Sequence, residues 1–283
     1  MEVEAARDSE GEAHGEPKAF FPRLTSLLGA PVAGTGVFAL GDRFRTSLDA
    51  SLGVPGLPGT ATGQAALVTG ANPSRARGRH LHGYPGPALR AWIDAQSNLL
   101  QRFAGTLLTG YRQGGGPPPG RETVLRYVAR MAGDVPRRAS GTGGERGLTP
   151  DAGFLAHPDD NRAAESLGRE LMDLARQATR GFAVFETDLL DRAGHVRDRR
   201  EREKLCVGAV TYMDAFLAGC IGSCRNSESV VLVSDHGNVE EPETKGHTRS
   251  RVPLLAFGPI ARTGIPEGDL TAFAPWLESY LAK

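Results

Sequence analysis

The chain has 283 residues, with 33 basic and 33 acidic side chains and a formal net charge of zero at pH 7. That balance argues against nucleic acid or a membrane surface as a partner, and the length suits one α/β domain with a sizeable core. No leader pattern opens the chain and no membrane-length apolar run is expected, so the cytoplasm is the expected compartment.

Residues 1–18 are charged and Gly-containing and read as a flexible arm, leaving 19–283 as a single domain. Ala19 to Leu28 has the pattern of a short amphipathic helix. Leu57-Pro58-Gly59 is a Pro/Gly turn, followed by Thr60, Thr62 and an apolar helical stretch to Thr69. Ala88 to Leu108 reads as helix. Low-complexity loops at Gln113–Gly120 and Ala139–Gly147 bracket a helix over Thr123–Met131 and mark a small lobe around 110–150. Ala163, Leu167, Leu171, Leu174 and Ala178 keep a three-four spacing, which predicts a helix packed on the sheet. Phe182 to Glu186 is a strand. The run Arg197–Lys204 alternates in sign and reads as a solvated helix face. Helix Val207–Leu217 then leads to Val230–Val233, a β-branched run that reads as a buried parallel strand. This βαβ rhythm predicts an α/β fold with a mostly parallel sheet flanked by helices. Cys206, Cys220 and Cys224 read as small buried hydrophobes.

Two strands run out into a carboxylate and an imidazole. After Phe182–Glu186 come Asp191 and His195, four apart, a spacing that on a first helical turn aims both side chains at one ion. A helix-capping or first-turn acid is the plainer reading of Asp191. After Val230–Val233 come Ser234-Asp235-His236-Gly237-Asn238, with His247 following, where a strand-to-turn junction is the plainer reading. C-terminal strand edges are where open α/β sheets place ligands, and Asp with His suits Zn or Mn. Thr60 or Thr62 near a helix N-terminus sits where partial positive charge favours an alkoxide and a phosphate, although an ordinary N-cap explains either. Arg79, with His80 and His82, is a weak candidate for holding a phosphate. Glu240 and Glu241 read as loop acids.

Asp191 with His195, Asp235-His236-Gly237-Asn238, and His247-Thr248 running on to Arg251-Val252-Pro253-Leu254 resemble the metal-site motifs of the alkaline phosphatase superfamily. The nearest branch is that of cofactor-independent phosphoglycerate mutase and its short relatives, whose nucleophile segment Leu57–Gly70 and Gly78-Arg79-His80 also resemble. The resemblance covers about residues 50–90 and 160–260. It implies metal-dependent phosphoryl transfer, as a phosphatase or phosphomutase, on a small phosphorylated substrate. It also implies two divalent metal ions, Mn or Zn. Asp191, His195 and His247 would hold one and Asp235 and His236 the other, with Thr60 as nucleophile.

Members of that superfamily begin with an apolar strand ending in Asp-Gly, whose aspartate binds the second metal. Met1–Glu12 has no such strand, so the fold is expected to lack its first strand here and the reading frame to start upstream. Sulfate-ester or phosphodiester hydrolysis on the same fold, or a truncated, catalytically idle metal-binding homologue, are the alternative readings.

Overall fold

The computed structural model describes residues 21–32, 36–109, 121–133, 137–138, 161–177 and 182–283. The expected 1–18 arm and most of the 110–150 lobe lie outside these residues. Helix α1 (Pro22–Leu28) has no side chain of its own to cap it. Instead the buried Asp214 accepts the backbone N–H groups of Arg23 and Leu24, both at 2.9 Å. A carboxylate across a helix N-terminus satisfies orphan donors and complements the dipole. Asp214→Ala is therefore expected to cost about 2–3 kcal/mol in chemical denaturation, since it leaves one buried and one part-buried N–H group without their acceptor.

One sheet holds β1 (Phe38–Leu40), β2 (Arg43–Leu48), β7 (Val252–Phe257) and β6 (Val230–Val233) in that order, antiparallel throughout. A second holds β4 (Arg137–Arg138), β3 (Thr106–Thr109) and β5 (Ala183–Glu186), all parallel. The expectation of a mostly parallel sheet is thus corrected. The chain returns from β6 to β7 through the loop that carries His247, not through a crossover helix, and that forces antiparallel pairing. Pro253 is tolerated because β6 pairs only with Leu254–Phe257, leaving Pro253 opposite Ser47 of β2 alone. The expected buried parallel strand at Val230–Val233 is instead a sheet-edge strand with every residue half-buried.

Strand β7 alternates its side chains between two cores. Leu254 and Ala256 join the core under α2 (Thr60–Thr69), α6 (Val124–Met131) and α10 (Phe273–Leu281). Leu255 and Phe257 join the core under α1, α7 (Asn161–Gln177) and α9 (Arg199–Gly222). Helical layers therefore cover both faces of the strands. Helix α6 joins the first core through Val124, Tyr127 and Val128. Helix α7 packs chiefly on α9, rather than directly on the sheet.

The helix expected over Ala88–Leu108 is broken into α4 (Pro87–Asp94), α5 (Leu99–Arg102) and β3, with α3 (Pro73–Arg77) preceding it. Asn98 caps α5 by accepting from the Gln101 N–H at 3.1 Å, and Thr106–Thr109 finds a strand partner in β5. Helix α9 is long and apolar enough to cross a membrane by length and composition, contrary to the expectation of no such run. Most of that apolar stretch is buried against the rest of the protein, which is the signature of a core helix.

Among the described residues β5 and β6 each pair along one edge, and a cavity of about 670 Å³ opens between them.

Candidate metal centre

Thr60 is the first residue of α2, and its Oγ1 lies 3.1 Å from His236 Nε2. Gly63 makes that approach possible, because a Cβ there would overlap the carbonyl of Asp235. Thr62 points the other way. Its fully buried hydroxyl donates to the Gly59 carbonyl at 3.0 Å and accepts from the Leu81 N–H at 3.3 Å.

Asp191 sits in the first turn of α8 (Leu189–Gly194), and His195 caps that helix. Asp191 Oδ1 lies 3.2 Å from His195 Nε2, 3.3 Å from His247 Nε2 and 3.7 Å from His236 Nε2. Asp235 Oδ1 is 3.7 Å from His236 Nε2. The sequence-derived candidates Thr60, Asp191, His195, Asp235, His236 and His247 therefore meet at one place. The tightest set is Asp191, His236 and His247, whose donor atoms all lie within 4.8 Å of one another. That grouping crosses the division into two ligand sets that the resemblance implied.

The imidazoles are oriented from behind. His247 Nδ1 donates to the Pro58 carbonyl at 2.7 Å and His236 Nδ1 faces the Gly237 carbonyl at 3.3 Å. Carbonyls only accept, so both Nδ1 atoms carry a proton, and in the neutral rings both Nε2 atoms turn a lone pair toward the Asp191 carboxylate. The two rings are stacked, with centroids 3.6 Å apart. Two lone pairs and a carboxylate oxygen converging in this way repel one another unless protons or a cation lie between them. The residues thus fit a divalent ion. Where protons rather than an ion lie between them, burial would raise the Asp191 carboxyl, but the hydrogen bond from protonated His247 and the charges of His236 and His195 hold it at about 2. Burial acts to lower His247, yet its bonds to Asp191 and Pro58 outweigh that and raise it. Asp235 is raised, first by burial and further by the Asp191 charge.

Several contributors were not singled out from sequence. Asn238 Nδ2 donates to Asp191 Oδ1 at 2.8 Å, fixing that carboxylate. The contact requires Gly194, where a Cβ would collide with the Asn238 side chain. Arg202 corrects the reading of 197–204 as a wholly solvated face. Its guanidinium is buried and donates to the carbonyls of Pro242 at 2.8 Å, Glu243 at 2.9 Å and Val196 at 2.8 Å. It thereby ties the loop before His247 to α9, whereas Arg199 and Glu203 form the expected exposed pair at 2.7 Å. Glu240 accepts from Asn238 N–H at 2.7 Å and from the Thr248 hydroxyl, the bracing role of a loop acid.

His80 is buried and held by Ser74 Oγ and the Val54 carbonyl, both at 3.2 Å, so its part is local. His82 overhangs the centre, with its ring 5.3 Å from that of His247. Arg79 is exposed, with its backbone N–H on the Ser74 carbonyl, and among the described residues no side-chain hydrogen bond or ion pair joins it to the centre.

Glu186, at the end of β5, is 5% exposed and accepts from Gln64 Nε2 at 3.2 Å and Thr123 Oγ1 at 3.0 Å. Burial outweighs those bonds and lifts its carboxyl to about 7. The folded state therefore holds a proton that the unfolded state has released between about pH 4.5 and 7. Stability is greatest below that window and falls as pH rises through it, by up to about 3 kcal/mol. Glu186→Gln is expected to flatten the stability profile between pH 5 and 8. An unchanged slope in urea titrations across that range would remove Glu186 as its source.

Residues 151–281 match the model of a family described as the Metalloenzyme superfamily. Alkaline phosphatase from the Antarctic bacterium TAB5 superposes with a TM-score of 0.52 at 12% identity, over 84% of this chain and 88% of that one. A TAB5 alkaline phosphatase variant with Mg bound gives 0.56 at 13%, over 86% and 88%. A cold-active alkaline phosphatase from Shewanella sp. gives 0.51 at 14%, over 84% and 89%. No curated protein matches the chain by sequence. At these identities the likeness is one of fold, and the fold is alkaline phosphatase-like.

Proposed function

We propose that the chain is a metal-dependent phosphoryl-transfer enzyme, with Thr60 as nucleophile and Asp191, His195, Asp235, His236 and His247 as metal ligands. The observation that carries this reading is the Thr60 hydroxyl, 3.1 Å from His236 and beside the convergent Asp191, His236 and His247 donors. The donor set suits Zn or Mn, and Mg is bound in the TAB5 alkaline phosphatase variant. Bound divalent ions would lower the pKa of the attacking hydroxyl and neutralise charge on the transferring group.

The protein's own contribution is placement. Thr60 stands at the positive end of α2, where an incoming phosphate and a developing alkoxide are both favoured. Thr60 Oγ1 attacks phosphorus in line as the bond to the substrate's leaving oxygen breaks. That oxygen takes up the proton given up by the Thr60 hydroxyl and departs as the ester's alcohol, and Thr60 keeps the phosphoryl group. Water then cleaves the phosphothreonine, returning the hydroxyl and releasing phosphate. Side chains of Asp191 and His195 are partly open to solvent, which favours this second half-reaction and hence a phosphatase over a mutase. With Mn or Zn, turnover of p-nitrophenyl phosphate is expected to exceed that of p-nitrophenyl sulfate and a phosphodiester, and to stop on EDTA treatment. Preference for the sulfate or the diester would move the assignment to those chemistries, and no turnover of any ester with either metal would defeat it.

A further inference from the structure

We infer, resting on the phosphoryl-transfer reading, that the substrate carries a second anionic group in its leaving alcohol. Arg79, Lys245 and Arg249 hold that group at the mouth of the metal centre. The substrate class is then a phosphomonoester with a further anion remote from the reacting phosphate.

The chain is neutral as a whole, yet its charges are unevenly placed around the centre. Residues 50–93, which include Thr60, contain no Asp or Glu, although 33 of the 283 residues are acidic. The same stretch holds Arg75, Arg77, Arg79 and Arg90. Arg90 is engaged, with Nε on the Pro85 carbonyl at 2.9 Å and Nη1 3.5 Å from Glu122. Arg75 and Arg77 lie in the last turn of α3, where cations complement the carbonyl end of a helix. Arg79 follows the Gly78 cap, and its exposed guanidinium has no hydrogen bond or ion pair among the described residues.

The facing loop is biased the same way. His82 and His247 bring the two segments together, with ring centroids 5.3 Å apart. Lys245 and Arg249 flank His247, both exposed and both without a side-chain hydrogen bond or ion pair among the described residues. Acids of the same loop do not answer them. Glu240 accepts the Asn238 N–H at 2.7 Å and Glu241 accepts the Ser250 hydroxyl at 2.9 Å, which leaves Glu243 as the exposed carboxylate. Free cations beside a centre suited to divalent ions repel one another and those ions, and a bound anion relieves that repulsion. The transferring phosphoryl group does not need them, because its charge is met by the metal ions and the N-terminus of α2.

Reach sets the spacing. The Leu81 carbonyl accepts the Ala61 N–H, next to Thr60, at 3.1 Å. Arg79 stands two residues before Leu81, and Lys245 and Arg249 stand two residues from His247. Each backbone therefore lies within ~7 Å of a residue bordering the centre, and the long side chains put the second anion on the order of 10 Å from phosphorus. The mount of Arg79 is firm, since His80 is held by Ser74 and Val54, and the Leu81 N–H donates to Thr62 Oγ1 at 3.3 Å. Arginine offers a bidentate fork to an oxyanion, and lysine a point charge.

Binding to Thr60→Ala protein, loaded with Mn and freed of excess ion, tests this without turnover. In calorimetry, hexanediol bisphosphate is expected to bind about 10-fold or more tightly than hexyl phosphate. Propanediol bisphosphate, too short to span the distance, should gain only about twofold from having two ends. Arg79→Gln combined with Arg249→Gln should remove most of the hexanediol gain. The metal-induced rise in melting temperature should persist in that double variant, showing that the centre is intact. Equal affinity for hexanediol bisphosphate and hexyl phosphate, or no binding of the bisphosphate, overturns the inference. An equal gain for the short and long bisphosphates, or a gain that survives the double variant, also overturns it, because unspecific charge attraction then accounts for the binding. Phosphoryl transfer is decided separately, by ester turnover in the unsubstituted protein.

Discussion

His247→Ala is expected to abolish most of the rise in melting temperature that Mn or Zn produces in the EDTA-treated protein. A ligand that binds only the folded state stabilises it by mass action, about 2.7 kcal/mol at a hundred times its Kd. For a chain of this size that is a shift of roughly 4–5 °C. His247 sits at the middle of the donor set. Its Nε2 faces Asp191 at 3.3 Å, its Nδ1 is tied to Pro58 at 2.7 Å, and its ring stacks on His236. Removing it takes away one donor and the ring that orients another. His82→Ala is the matched control, because His82 lies beside the same ring yet outside the tight donor set. It should keep the shift. Asn238→Ala should weaken metal binding by about 10–100-fold without abolishing it, as expected of a residue that only orients Asp191. A full shift in the His247 variant would remove the site assignment.

What could be read from the sequence was what lies close together along the chain. Asp191 with His195, and Asp235 with His236, each follow an apolar strand directly, so local pattern sufficed to mark them as candidates. The pairing of strands was not legible. Strands β2 and β7 meet across more than two hundred residues, and Pro253 and the charged start of β2 obscure their period. Val230–Val233 is apolar at every position, which suits a strand covered on both faces but says nothing about its neighbours. Supporting polar groups escaped for a related reason. Arg202 looks like a surface residue in its charged run, Asp214 and Glu186 are lone acids in apolar stretches, and only tertiary contact gives each its partners. The Ala88–Leu108 helix failed because Asn98 and Thr106 favour a cap and a strand once partners are present.

Local sequence also left Thr60 and Thr62 nearly equivalent, and geometry separates them. Thr60→Ala is expected to lower ester turnover by about 10³-fold or more and to eliminate any trapped phosphoenzyme. Metal-induced stabilisation should survive in that variant, which shows that the centre is still assembled. Thr60→Ser should restore part of the activity, since it returns a hydroxyl to the same place. Thr62→Ala should behave differently. Its hydroxyl bridges Gly59 and Leu81 across the start of α2, so its loss should cost about 1–3 kcal/mol of stability. Turnover should fall only as far as the looser turn displaces Thr60, and the phosphoenzyme should still form. A nucleophile needs access to its substrate, and a fully buried hydroxyl engaged as both donor and acceptor has none. Phosphopeptide mapping after a rapid acid quench decides the matter. Label on Thr60 supports the mechanism, and label on Thr62, or on neither residue, sinks it.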